Sequence, residues 1–575
     1  MVLRSRGAAR AMVAAGLAVS ACVCAFVLGS ASAASVPSTA EPGRSTQDIQ
    51  QVPPKARASG ERVIPLRPGS VAPGEADKIS FVLRGVELSG ASALGEAQLS
   101  GAWSASLGQT ITVARLYEIV NEITARYAAA GYALSFALLP EQDVTEGQVK
   151  IAVVEGFVDD VVVSVADASA KAPGLERQVA AQAARIKASR PLKTADLERA
   201  LLLLNDLPGV KARAVFSASR DVVNASTLTL SIEQDRVQGR AEINNRMSED
   251  LGSWRAGGSL VFNGLLSGAD ALTLQAYSAL DDEGFVFGSA RFDQALGTDG
   301  LMLSVTGSYS KDLPLEGLLK SVAFEGENVS GRLELSYPLL RTRPENLTFA
   351  ASLSYNDTST ETLGTPLTED KVRTVEASLT WDVADSWSGI NLVRGTLVQG
   401  LDLLDASADT SILRSRANGS AVFTTVGLYA SRYQPVFDRV SLFGQVQAQA
   451  AIADPLLAVS ECSYGGQTFG RGYDAGAISG DNCVEGAAEL RLDHGWDGLG
   501  IQLYGFADGA WVEQKGILEP GEARAEHASS AGGGVRLFVN GAYNIGAEIA
   551  VPLRERYTKD GDGDTRAFFS ASARF

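Results

Sequence analysis

The sequence predicts a transmembrane antiparallel β-barrel of about sixteen strands, preceded by two small periplasmic α+β domains. Three observations predict it. From Arg240 to the C-terminus helical periodicity vanishes, and segments of about ten residues alternate apolar with small or polar side chains between Gly-, Asp- and Pro-rich turns. Upstream, between Ile79 and Ile232, one order of strands and helices occurs twice. The chain also opens on an export signal.

That signal is Arg4, Arg6 and Arg10 followed by an apolar run from Ala11 to Leu28 and a small-residue exit, Ala31-Ser32-Ala33. Residues 1–33 read as a secretory signal peptide. Val19-Ser20-Ala21-Cys22 resembles a lipobox, so lipidation at Cys22 is the alternative, and export follows either way. Residues 34–77 are rich in Pro, Gly, Ser and Ala without a hydrophobic period, and read as a linker in which Gln47 to Gln51 forms a helical turn at most.

Residues 78–157 form the first α+β domain. Ile79 to Leu88 is strand-like, Ala93 to Trp103 helical, and Leu116, Ile119, Val120, Ile123 and Tyr127 recur at helical spacing before Gly131-Tyr132 and the alternating strand Gln148 to Val154. Residues 158–236 repeat the order: a strand (Val161 to Val165), helices (Leu175 to Ile186 and Ala195 to Leu204), the turn Pro208-Gly209, then strands Val210 to Ser217 and Thr227 to Ile232. Tandem copies are one reading of this pattern. Two unrelated α+β domains are the other.

Residues 237–575 form the barrel. Leu272, Leu274 and Ala276 alternate with Thr273 and Gln275, and Leu333, Leu335 and Tyr337 with Glu334 and Ser336. Leu490 and Leu492 alternate with Glu489, Arg491 and Asp493, which would be awkward in a dry sandwich core. One face therefore suits outer-membrane lipid and the other a wet lumen. Phe569, Ala571, Ala573 and the terminal Phe575 share one face of the last strand, the aromatic ending that serves the barrel assembly machinery as a signal. With an even strand count both barrel ends face the periplasm, and Ala453 to Val484 joins strands eleven and twelve on the outer side.

Composition narrows the function classes. A formal net charge of −17 disfavours nucleic acid, whose phosphates demand a basic face. The two histidines, His494 and His527, lie far apart, which leaves little for a zinc or catalytic cluster. Asp560-Gly561-Asp562-Gly563-Asp564 begins like a calcium loop but has Thr565 and Ala571 where the loop needs glycine and glutamate. Gly532-Gly533-Gly534 follows no βαβ unit, so no nucleotide site, cofactor or metal is expected and the chain does not read as an enzyme. Cys462 and Cys483, the cysteines outside the leader, are left to pair as a loop staple.

They bracket the most specific stretch, Phe469-Gly470-Arg471-Gly472-Tyr473 followed by Ser479-Gly480-Asp481. With the signal peptide, the two domains, the barrel and the segment Gly505-Phe506-Ala507-Asp508-Gly509, this stretch resembles the TpsB transporters of two-partner secretion, a branch of the Omp85 superfamily. The two α+β units are then POTRA-like. The resemblance implies that the loop folds back into the lumen, with Arg471, Gly472 and Tyr473 at its tip and Phe506, Asp508 and Gly509 as the inner-wall motif. Arg471 would pair with Asp508, Gly472 would allow a tight turn, and Tyr473 would pack on the wall with its hydroxyl satisfied.

The sequence departs from the family pattern at Gly470, where an aliphatic residue is usual, and at Ala510, where glycine is frequent. It also lacks a stretch long enough for the family's N-terminal plug helix. The resemblance implies an outer-membrane translocase that exports a large TpsA-like exoprotein partner, captured by the periplasmic domains. The alternatives are an insertase that assembles other barrels and a passive porin.

Overall fold

The computed structural model describes residues 39, 41–50, 53–59, 72, 74–144, 146–165, 172–280, 284–518, 523–554, 557 and 563–575. The signal segment 1–33, much of 34–77 and Asp560 to Asp562 lie outside the described residues.

The first α+β unit contains β1 (Ser80–Val82), β2 (Gly85–Ser89), β3 (Thr110–Thr112), β4 (Phe136–Leu138) and β5 (Gln148–Val154). Its principal helix, Val113–Ala129, starts where Thr112 accepts a hydrogen bond from the Arg115 N–H. The helix buries Leu116, Ile119, Val120, Ile123 and Tyr127 completely against the sheet. At the end of β5, Glu155 accepts from the N–H groups of Ser92 and Ala93 and from the Tyr127 hydroxyl. Burial would raise its carboxyl, but these bonds hold it below the usual range.

The second unit contains β6 (Phe157–Val165), helices Pro173–Ala188 and Thr194–Asn205, β7 (Val210–Ala218) and β8 (Ala225–Gln234). Its sheet runs β6-β8-β7, with β6 parallel and β7 antiparallel to β8. The first unit's sheet runs β2-β5-β4 with the same directions. Identical order and polarity favour tandem copies over two unrelated folds.

The wall follows: β9 (Val237–Asn244), β10 (Arg255–Asn263), β11 (Asp270–Ala279), β12 (Phe285–Leu296), β13 (Leu301–Asp312), β14 (Glu325–Arg341), β15 (Glu345–Thr362) and β16 (Thr365–Ala384). It continues through β17 (Ile390–Gly400), β18 (Thr424–Phe437) and β19 (Val440–Ala451). After the loop strands β20 (Cys462–Tyr464) and β21 (Ile478–Gly480) come β22 (Asn482–Trp496), β23 (Leu499–Glu513), β24 (Ala525–Val539), β25 (Tyr543–Pro552) and β26 (Arg566–Arg574). Sixteen of these, β9 to β19 and β22 to β26, close an antiparallel barrel. No described helix is long and apolar enough to cross a membrane.

The alternation explains the wall. Leu333, Leu335, Leu353, Leu379, Leu397, Leu428, Leu490 and Leu503 are exposed on the outer face. The opposite face carries Arg332, Glu376 and Arg394 in one ion-paired group. β26 meets β9 over five residue pairs, from Ser570 with Asn244 to Arg574 with Arg240. Phe575 extends this seam by exchanging two backbone hydrogen bonds with Gly239, whose missing side chain leaves room for the phenylalanine ring. Phe569 projects outward and rests against Trp254.

The second α+β unit docks on the inner rim. Gln178 and Gln182 donate to the carbonyls of Gly297 and Thr298 in the turn after β12, each at 2.7 Å. Asp206 takes a bidentate pair from Arg341 at the end of β14, at 2.7 and 2.8 Å.

The stretch read as a linker is the main surprise. Its described residues 41–50 and 53–59 lie in the lumen, from the outer rim, where Arg44 donates to the carbonyls of Ala458 and Glu461, to the inner rim, where the Ser59 N–H reaches the Arg343 carbonyl. The turn at Gln47–Gln50 is helical, and the described remainder, apart from the 3-10 turn Arg44–Thr46, is not. A long plug helix is absent from the described residues, yet the lumen is occupied. A polar lumen wall asks for no hydrophobic stripe, so the segment carries none.

Candidate functional site: the loop inside the barrel

Residues 452–481 leave the outer end of β19 and turn back into the lumen. β20 and β21 form a short hairpin, with Cys462 opposite Gly480 and Tyr464 opposite Ile478. The Cys462 and Cys483 sulfurs are bonded, which ties the hairpin to wall strand β22 across a Cα–Cα distance of 6.4 Å. Tyr464, Phe469, Tyr473 and Ile478 pack with the two cysteines and with Ala510, Val512 and Ala528 of the wall. Ala510, where the family often has glycine, therefore contributes apolar contact.

Asp481 closes the loop's base. Wholly buried, it accepts from Arg416 at 3.1 and 3.2 Å, from the Leu456 N–H at 2.5 Å and from the Lys515 N–H at 2.6 Å. One carboxylate thus joins three outer loops.

The glycines divide the work differently from the sequence expectation. Gly472, expected to permit the tight turn, has no left-handed φ; a Cβ there would lie 2.9 Å from the Pro552 nitrogen and the Ser530 Cβ. Close approach to the wall requires it, and its N–H donates to Ser530 Oγ at 3.1 Å. The turn belongs to Gly470, at φ +77°, whose carbonyl accepts the Tyr473 N–H at 2.9 Å. Tyr473 is buried, and its hydroxyl donates to the Ser529 carbonyl at 2.8 Å while accepting the Arg554 N–H at 3.0 Å.

The expected Arg471–Asp508 ion pair is not formed. Asp508 accepts from the hydroxyls of Tyr464 at 2.7 Å and Ser530 at 2.5 Å, and only the Arg471 backbone N–H reaches it, at 3.4 Å. The guanidinium instead runs toward the inner rim, across the Phe506 ring at 4.3 Å, and bonds Glu489 at 2.9 Å and Glu548 at 3.4 Å. Asp508 lies level with the loop backbone, while Glu489 sits directly beside Phe506 in the β22–β23 register. A side chain of arginine's length overshoots the first carboxylate and meets the second pair. Gly509 faces away from the lumen, on the same side of β23 as Ala507, and takes no part in the contact.

Glu489 also receives Arg491 at 2.7 Å and Arg536 at 2.6 Å, and Glu548 receives Arg246 at 2.8 Å and the Tyr504 hydroxyl at 2.7 Å. Arg536 lies 3.7 Å over the Tyr504 ring, and Arg246 lies 4.3 Å over Phe568. The glycine run on β24 makes this layer feasible: a Cβ at Gly532 would lie 2.8 Å from the Phe506 ring, and one at Gly534 would lie 2.6 Å from the Tyr504 hydroxyl. Sequence reasoning missed Glu489 and Glu548 as partners, although Glu489 is marked by its place opposite Leu490 in an alternating strand.

Comparison with known proteins agrees with this arrangement. The family model for haemolysin secretion/activation proteins ShlB/FhaC/HecB matches residues 225–537, and the ShlB-type POTRA domain model matches residues 81–156. The chain is 24% identical over 460 residues to the heme/hemopexin transporter protein HuxB of Haemophilus influenzae, covering 78% of this chain and 79% of that protein. It is 22% identical over 488 residues to the outer membrane transporter CdiB of Dickeya dadantii, covering 81% and 82%. The solved structure of CdiB from Escherichia coli aligns at a TM-score of 0.68 and 20% identity over 94% of each chain. BamA from Haemophilus ducreyi lacking POTRA domains 1–3 aligns at 0.51 and 13% identity over 86% of this chain and 100% of that chain. The chain belongs to the ShlB/FhaC/HecB family of haemolysin secretion/activation proteins, the TpsB outer-membrane transporters of two-partner secretion, with POTRA domains in the periplasm.

Proposed function

We propose that this transporter exports one large exoprotein in extended form, after its periplasmic domains capture the partner's N-terminal region. The observation that carries the reading is the lumen itself. A closed barrel holds a buried arginine loop on one wall and leaves a cavity of about 690 Å³ beside the opposite wall, where Thr273, Gln275, Ser289, Thr306 and Ser330 alternate with apolar lining from Phe287, Ile49 and Pro53. Such a surface accepts a hydrated backbone of varied sequence.

Capture at the periplasmic face is supported by the second domain's open sheet edges. β6 and β7 each pair on one side only, and expose Val162, Val163 and Val215. An extended segment can add to such an edge through backbone hydrogen bonds. No step needs a nucleotide in this reading; folding of the partner outside supplies the direction. The Phe569 and Phe575 ends serve recognition by the barrel assembly machinery, and the exposed leucine rows serve contact with outer-membrane lipid.

The test is proteomics of the cell surface and medium in a deletion strain, complemented with wild type or with Arg471→Ala checked for normal membrane insertion. One large protein should vanish and return with wild type alone. General loss of outer-membrane barrels would favour an insertase, and no specific loss a porin.

A further inference from the structure

At the inner mouth of the lumen, beneath that cavity, three consecutive backbone N–H groups of the chain's own N-terminal segment are taken up by the wall. Asp382 Oδ2 accepts the Ala58 N–H at 2.6 Å and the Arg57 N–H at 3.0 Å. The Arg343 carbonyl, in the turn after β14, accepts the Ser59 N–H at 2.8 Å. We propose that this mouth is a binding site for an extended polypeptide backbone, now filled by residues 57–59. The proposal rests on the export reading and adds where the travelling chain is gripped.

The site is built for this ligand class. Asp382 is 4% exposed and faces the lumen near the end of β16. Asn346 donates to the same Oδ2 at 2.9 Å, and its own Oδ1 accepts from Arg341 at 2.8 Å. Arg341 in turn holds Asp206 of the second periplasmic domain. This chain of contacts fixes the carboxylate and links the mouth to the second periplasmic domain.

Recognition reads backbone and little else. Ala58 is buried, so the middle position takes a small side chain, while Arg57 is more than half exposed and stands 3.8 Å from Asp206, a weak contact. Proline is barred from the three gripped positions because it has no N–H to donate. Pro53 and Pro54, upstream in the segment, line the cavity, and their fixed backbone favours an extended approach.

Without residues 57–59 the Asp382 carboxylate keeps the Asn346 amide as a donor and exchanges two charge-assisted backbone bonds for water. An incoming extended segment restores both. The chain's own segment is thus a stand-in that a travelling polypeptide displaces by offering the same pair of N–H groups.

The test uses the full transporter in detergent and a variant lacking residues 41–59, with a fluorescent synthetic peptide of residues 53–59 as probe. Saturable binding is expected for the deletion variant, and binding at least tenfold weaker for the intact chain, whose site is filled. Adding Asp382→Ala to the deletion should cost at least tenfold. Asp382→Asn, which keeps an acceptor, should fall between the two. Folding is checked by heat-modifiable gel migration. A peptide with proline at the position of Ala58 should not bind, whereas one with glutamine at the position of Arg57 should bind within about threefold. Equal binding with and without Asp382, or of the proline peptide, overturns the proposal. Peptide binding needs no export, so its failure leaves the export reading standing, and failure of the secretion test leaves this site to be judged by the peptide alone.

Discussion

Two elements that belong to neither wall nor domain occupy the lumen, and they are held in opposite ways. The loop 452–481 is fixed by a disulfide, a strand pair, an apolar cluster and an arginine on two buried glutamates. The segment 41–59 is held by separate polar contacts: Arg44 on two carbonyls, Ser45 on Asp312, Gln50 on Ser308 and two N–H groups on Asp382. Ile49 packs against the Met247, Tyr277 and Phe285 cluster, and the buried ring of Pro42 closes on Gly326. Water can replace polar contacts one by one at a net cost of about 1 kcal/mol each, whereas a buried ion pair and a covalent bond cannot be traded so cheaply. The loop is a fixture of the wall, and the segment is a removable stopper.

The largest break in this contrast should come from Arg471→Ala. Removing one partner of a buried ion pair costs about 3 to 5 kcal/mol, and the lower end applies because Glu489 keeps Arg491 and Arg536 and Glu548 keeps Arg246. Export should be lost while the barrel still inserts, and limited proteolysis should cut the loop tip. Arg471→Lys should fail as well, since an ammonium cannot span two carboxylates while lying flat on Phe506. Normal export by the lysine variant would mean that charge alone matters.

Next in size is the pair Cys462→Ser with Cys483→Ser. Closing a loop of 21 residues' separation is worth about 3 kcal/mol in the chain-entropy account. The hairpin and the Arg471 contacts remain, so the loop should stay protected from protease at ordinary temperature and lose protection at a lower temperature than wild type. If the loop leaves the lumen at once, the disulfide is its main restraint and the contrast between fixture and stopper narrows.

These two tenants also mark what could be read in the sequence. Alternation such as Leu333, Glu334, Leu335 is a local property, and it gave the barrel, its strand number and the inward position of Glu489. Which inward carboxylate meets Arg471 depends on register across β22 to β25 and on the reach of a side chain, and neither is local. Asp508 was therefore the expected partner and Glu489 with Glu548 the actual ones. Gly470 and Gly472 differ by a φ sign and a wall contact that spacing does not encode. Segment 41–59 was illegible for another reason: its anchors are single polar atoms on a wet wall, which leave no periodicity.

Arg44→Ala addresses the stopper directly. Arg44 is 4% exposed, and it lines with Glu485 a cavity of about 90 Å³ between segment, loop and wall. Losing hydrogen bonds from a charged donor costs about 1.5 to 3 kcal/mol. The segment's withdrawn population should rise roughly tenfold or more, read as a higher open fraction of single channels in planar bilayers. Loop proteolysis should not change. If it does, the two tenants are coupled through the Ala458 and Glu461 carbonyls and are not independent.

The finest test is Ser45→Ala, which removes one hydroxyl bond of 2.8 Å to Asp312. A net change of about 1 kcal/mol corresponds to roughly a fivefold shift toward the withdrawn state. Asp312 is buried at the outer end of β13 with the segment in place, so its bond to Ser45 belongs to the seated state alone. In wild type withdrawal strips Asp312 of the Ser45 hydroxyl, whereas in the variant that bond is already gone and withdrawal costs less. Open fractions in Ser45→Ala and Arg44→Ala should therefore rise together and multiply in the double variant, as they do for contacts broken in one motion. A double variant no more open than Arg44→Ala alone would show that the segment leaves in parts, its outer end freed while residues 57–59 still hold Asp382.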